Sequence, residues 1–131
     1  MAKIGEMYRT DDFKNEKHVP VIELPAGGLQ AGEVSEIRVS VGKEIAHPNK
    51  TEHHIAWIAL YFKPQGDQYA YQLGKADFLA HGASTKGPDS ITVYSEPVAV
   101  FAAKLDQPGE LFATSYCNIH GLWEGSQEVS L

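Results

Sequence analysis

The sequence predicts an all-β sandwich of about seven short strands, on three observations. Apolar runs of strand length recur at close spacing, separated by turn clusters such as Ala26-Gly27-Gly28, Pro64-Gln65-Gly66-Asp67 and Pro108-Gly109. The clearest of these runs alternates with period two. No stretch carries a long 3.6-residue periodicity. A small closed barrel would satisfy the same pattern.

In chain order, residues 1–17 are polar and charged, and residues 11–17 read as a short helix or loop. Residues 18–25 are a β-rich run bounded by Pro20 and Pro25. Residues 34–41 alternate, with Ile37, Val39 and Val41 expected to face a core and Arg38 and Ser40 to face water. Residues 42–51 are a loop containing Pro48-Asn49. Residues 53–62 are apolar on both parities, the mark of a central strand. Residues 68–73 and the stretch around Phe78 read as strands, and residues 81–89 as a polar loop. Residues 91–94 and 98–105 are two more β-rich runs. Residues 111–116 form a strand delivering Cys117, and residues 127–131 a closing strand.

A chain of 131 residues can bury a core as one domain over 1–131, with 1–15 as a segment preceding the first motif. The formal net charge of −6 argues against nucleic acid, whose binders carry a basic face. No apolar run approaches the roughly 18 residues of a membrane-spanning helix. The first six residues lack the apolar stretch of a secretory leader. A single cysteine cannot form an internal disulfide, so a reducing, cytoplasmic setting is expected.

The chemistry centres on Ser115-Tyr116-Cys117-Asn118-Ile119-His120-Gly121-Leu122-Trp123. A thiolate and an imidazole three residues apart can share one metal ion, and Gly121 lets the backbone turn beside them. A lone cysteine is most often a small buried hydrophobe, so the case rests on the whole set. Histidines stand at 18, 47, 53, 54, 81 and 120. Four of these positions fall at strand ends or in adjoining loops, from which a rigid scaffold aims side chains at one point. Neighbours in a strand face opposite ways, so only one of His53 and His54 is expected at such a site. His81, beside Gly82, reads as a surface residue. Magnesium and calcium want oxygen ligands, and structural zinc is usually richer in cysteine. Imidazole suits iron, copper, nickel and zinc. A copper electron carrier with two histidines, one cysteine and a weak axial ligand is the competing reading; Met1 and Met7 stand far along the chain from Cys117.

Four motifs, in this order and spacing, carry a resemblance. They are Glu16-Lys17-His18-Val19-Pro20, His47-Pro48-Asn49, Glu52-His53-His54-Ile55 and Cys117-Asn118-Ile119-His120-Gly121-Leu122-Trp123. From about Glu16 to the C-terminus the chain resembles the superoxide reductases, and among them the short single-iron members called neelaredoxins. Each motif is weak alone; the four together are highly specific.

The resemblance implies an immunoglobulin-like β-sandwich and one mononuclear non-haem iron per chain. Its ligands would be His18, His47, His53 and His120 in a square, with Cys117 axial. Glu16 would take the sixth position in the ferric state, and Lys17 would lie beside that position. The implied reaction is one-electron reduction of superoxide to hydrogen peroxide, with Lys17 and Glu16 as catalytic residues. A rubredoxin-like donor and a homotetramer are implied as well. The longer desulfoferrodoxins carry a second iron on four cysteines, which a chain with Cys117 alone cannot build. An axial thiolate pushes electron density toward the ligand opposite it. Lys17 offers a positive charge on a flexible stem to an anionic substrate. Backbone N–H groups of Asn118 and Ile119 are expected to donate to the Cys117 sulfur, and Pro48 to stiffen the loop of His47. Trp57 and Trp123 are expected in the core or the site wall.

Overall fold

The computed structural model describes all of residues 1–131 and contains two antiparallel sheets. Strands β1 (Pro20–Glu23), β2 (Val34–Val41) and β5 (Val98–Lys104) form a three-stranded sheet in the order β1-β2-β5. Strands β3 (Ile55–Pro64), β4 (Tyr71–Asp77), β6 (Gly109–Cys117) and β7 (Gly121–Val129) form a four-stranded sheet in the order β4-β3-β6-β7. The chain passes between the sheets after β2, after β4 and again after β5. The result is an immunoglobulin-like β-sandwich; two separate sheets with free edges rule out the closed barrel.

The core lies between the sheets. Ile37 and Val39 of β2 face Ile58 and Leu60 of β3 and Leu111 and Ala113 of β6, and all six have essentially no solvent exposure. Burying each larger side chain contributes about 1.5–3 kcal/mol. β3 is central, hydrogen-bonded to β4 on one side and β6 on the other, and its two-sided apolar sequence follows from that place. A register shift between Ile55 and Trp57 bulges β3 at its N-terminal end. Bulges of this kind re-aim the residues beside them.

Several elements differ from the sequence expectation. The expected closing strand at 127–131 instead begins at Gly121, because the ladder to β6 sets it: Cys117 pairs with Gly121 and Gly109 with Val129. Its polar run Glu124-Gly125-Ser126-Gln127-Glu128 hid that pairing. Residues 91–94 form no strand; one bridge between His81 and Tyr94 pins the loop. The stretch around Phe78 is not a separate strand, since β4 runs to Asp77 and the Phe78 N–H bonds to the Ala56 carbonyl. Ser40 is buried rather than facing water, because it lines a recess with residues 42–43 and 46–47 of the loop that doubles back over it. Residues 11–17 make a turn, with the N–H groups of Asn15 and Glu16 on the Asp12 carbonyl. No helix is long and apolar enough to cross a membrane.

Gly42 shapes the loop that carries His47. Its φ is +88°, and a Cβ there would stand 2.7 Å from the His47 backbone nitrogen. Gly66 has a similar φ of +82° but open space around it. Gly66→Ala therefore carries only the left-handed strain of about 1–2 kcal/mol. Gly42→Ala carries the same strain plus a backbone clash, typically about 1–3 kcal/mol more. Thermal denaturation of both variants should show the larger loss for Gly42→Ala; equal losses would remove the close approach.

Candidate metal centre

The β6–β7 hairpin builds one half of the site. Cys117 and Gly121 close a three-residue loop, and Gly121 takes a φ of +82°. This is a hairpin in which a left-handed glycine ends the loop. The tight loop returns His120 to Cys117: the His120 N–H donates to Cys117 Sγ at 3.3 Å, and the His120 Nδ1 stands 3.7 Å from that sulfur. The expected sulfur donor Asn118 is engaged elsewhere, its N–H bonding to the His54 carbonyl at 3.2 Å.

The other half comes from three segments. His18 lies two residues before the start of β1, and Ser115 of β6 donates its hydroxyl to the His18 carbonyl at 3.4 Å. His47 projects from the loop after β2, and His53 from the turn before β3, where Lys50 and His53 exchange backbone hydrogen bonds. His53 thus stands in a turn and not in a strand. It still diverges from His54, which stacks on His81 with centroids 3.5 Å apart and planes 6° apart. His81 is half-buried, not a free surface residue, and bonds to the Phe78 carbonyl.

The four remaining imidazoles form a closed ring. Centroid distances run 4.8 Å from His18 to His47, 4.9 Å from His47 to His53, 5.2 Å from His53 to His120 and 4.6 Å from His120 to His18. Donor atoms of His18, His47, His53 and Cys117 all lie within 4.8 Å of one another. His120 completes the ring through its Nδ1, 3.1 Å from the His18 Nε2. Two nitrogens each about 2.1 Å from one metal ion and at right angles would be about 3.0 Å apart. A two-histidine copper site would leave half of this ring unexplained.

The donor set fits a cation. The Nε2 atoms of His47 and His53 are buried with no hydrogen-bond partner. The His47 Nδ1–H donates to the Pro48 carbonyl at 2.7 Å, which leaves the Nε2 lone pair free. Glu16 Oε1 accepts the His18 Nδ1–H at 2.6 Å and the His18 backbone N–H at 3.2 Å. Such carboxylate–histidine pairs orient metal-bound rings and raise their donor strength. Glu16 therefore meets the outer nitrogen of His18 and makes no hydrogen bond to another ring histidine. Its hydrogen bond to His18 holds its carboxyl below the ordinary range.

Burial lowers the pKa of His18, His47 and His53, and that of His47 falls to about 4. The Lys17 charge is a minor contributor to the lowering at all three. Lys17 is half-buried and has no acidic partner within 4.0 Å. Trp123 is buried against the site, stacked on His18 at 4.8 Å and 15°, with its indole N–H on the His120 carbonyl. Trp57, half-buried on β3, stacks with Tyr116 away from the ring. What the sequence reading did not reach is the Glu16–His18 bond, the His54–His81 stack and the side-chain bonds of Asn118.

Comparison with known proteins agrees with this geometry. The sequence model of the desulfoferrodoxin family matches residues 10–126. The superoxide reductase of Pyrococcus furiosus is 53% identical over 128 residues, covering 98% of each chain. The neelaredoxin of Megalodesulfovibrio gigas is 50% identical over 129 residues, again covering 98% of each. The reduced superoxide reductase (neelaredoxin) of Archaeoglobus fulgidus superposes with a TM-score of 0.87 at 58% identity, covering 95% of this chain and 98% of its own.

The lowered histidine pKa values make a pH prediction for the metal-free chain. Above the unfolded pKa of 6.5 His47 is neutral folded and unfolded, and the fold has its full stability. Between 6.5 and about 4 only the unfolded chain takes up the proton, so stability falls as the pH falls. The loss from His47 is on the order of 3 kcal/mol at most. The melting temperature of metal-free protein should drop through this window, and His47→Gln should flatten the slope. An unchanged slope would place the titration elsewhere.

Proposed function

This chain belongs to the desulfoferrodoxin family, and from that premise we propose its chemistry: it is a non-haem iron superoxide reductase. It reduces superoxide by one electron, with two protons, to hydrogen peroxide. The observation that carries the reading is the closed ring of four imidazoles over a buried thiol, with two inward nitrogens lacking partners. His18, His47, His53, His120 and Cys117 would hold the iron. Bound ferrous iron supplies the electron.

The protein's own groups do the rest. Lys17, unpaired beside the ring, draws in the superoxide anion and balances its charge. Glu16 fixes His18 through Nδ1. Once released from that hydrogen bond, the Glu16 carboxylate would be the group that covers the site after turnover. The His120 N–H on the Cys117 sulfur tempers the thiolate's donor strength. Trp123 and the loop of His47 keep bulk water off the ring. With a single metal centre, an external carrier such as rubredoxin returns the electron. A cytoplasmic setting and a homotetramer complete the proposal.

Iron reconstitution under anaerobic conditions, metal analysis and a visible spectrum test the reading. One iron per chain with a thiolate-to-ferric band, bleached by reduction and restored by superoxide, is the expected result. Copper with a blue band, or no bound metal, would overturn it. Cys117→Ser should abolish both the band and superoxide reduction, and their retention would remove Cys117 from the ligand set. Lys17→Ala should slow the reaction with superoxide by about tenfold or more and weaken its dependence on ionic strength. An unchanged rate would take Lys17 out of the mechanism.

A further inference from the structure

His53 is the one member of the ring whose imidazole no other group in the chain holds. Glu16 fixes the His18 Nδ1, and the Pro48 carbonyl fixes the His47 Nδ1. The His120 Nδ1 stands 3.1 Å from the His18 Nε2 and 3.7 Å from the Cys117 sulfur. Neither ring nitrogen of His53 bonds to another group in the chain, and its Nε2 is buried without a partner. Its aim therefore depends on where the backbone of residues 52–54 is set.

We propose that Asn118 is the positioning residue that sets it, bracing His53 against the Cys117 loop. The Asn118 Oδ1 accepts the His54 N–H at 2.8 Å, and its Nδ2 donates to the Glu52 carbonyl at 2.9 Å. The Asn118 backbone N–H donates to the His54 carbonyl at 3.2 Å. The β3–β6 ladder ends where Ile55 pairs with Cys117. Beyond that pair the Asn118 carboxamide acts as one more peptide group, bonding the backbone on either side of His53. A primary amide does this because it presents a donor and an acceptor in one plane. Aspartate keeps the size but loses the donor, and puts an oxygen against the Glu52 carbonyl. Because Asn118 adjoins Cys117, the same three bonds set the Cys117 sulfur relative to the His53 imidazole.

The proposal rests on the iron-site reading above and is tested on the full chain loaded with iron. Asn118→Asp and Asn118→Ser are compared with the parent by the thiolate-to-ferric band and by the rate at which excess EDTA removes the metal. Thermal melting of the metal-free chains is the control. The expected result is a shifted band and metal release faster by about tenfold or more, with metal-free melting little changed. A band and release rate equal to the parent's in either folded variant would overturn the brace. So would equal losses of melting temperature in metal-free and loaded chains with an unshifted band, the mark of a purely structural residue. A parent chain with no such band removes the underlying iron-site reading as well, whereas a normal parent with normal variants removes Asn118 alone.

Discussion

Four imidazoles are packed around one point, and the rest of the structure is built around that constraint. The rings of His18, His47, His53 and His120 are close enough for each charge to oppose the next. Burial pushes His18, His47 and His53 the same way, toward the neutral form. Neutral rings bring their own cost. Leaving the buried Nε2 atoms of His47 and His53 without partners costs about 1–3 kcal/mol each. A central cation accepts those lone pairs and removes the cost, so metal binding and folding are linked in one free energy.

A sandwich suits this because the segments that carry the imidazoles and the thiol come from different sheets and converge at one end. His18 leads into β1 and His47 follows β2, both strands of the smaller sheet. His53 leads into β3, and Cys117 and His120 bracket the β6–β7 turn, all of the larger sheet. The segments on the two sheets are joined where the Ser115 hydroxyl meets the His18 carbonyl and where Trp123 stacks on the His18 ring. The N-terminal segment adds a third tie: Arg9 exchanges backbone bonds with Leu122 and Glu124 and sets its guanidinium over Trp123. Each tie falls within a few residues of a ligand, so stiffness is concentrated where aim matters.

Residue spacing pointed to the β-sandwich, with a closed barrel as the alternative, and the set of converging residues came from the family resemblance. The alternation at Ile37, Val39 and Val41 and the two-sided run of β3 follow directly from burial on one or two faces. β7 was not legible as drawn, because its register comes from hydrogen bonds to β6 and not from its own polar side chains. Ser40 was misplaced because a single strand's alternation cannot foresee a loop folding back over its outer face. The separation of His53 from His54 was legible, although its basis was not: a turn, and a stacking partner in His81, divide them rather than strand pleating. Glu16 was expected beside the histidines from the resemblance, but only coordinates reveal which atom of His18 it engages.

An acidic chain that attracts an anion is consistent once distance is considered. The net charge of −6 is a sum over the whole surface. At physiological ionic strength charges are screened over about 8 Å, so an approaching anion responds to what lies near the ring. Some of the acids are already paired away from it: Glu23 meets Arg38 and Lys43, and Asp77 meets Lys75. Glu16 is near, but its charge is directed into the His18 Nδ1–H. Lys17 is half-buried with no such partner, and its charge is a minor contributor to the lowered pKa of His18, His47 and His53. The bond that orients His18 thus also turns the Glu16 carboxylate toward that imidazole, while Lys17, the next residue, carries the opposite charge without an acidic partner.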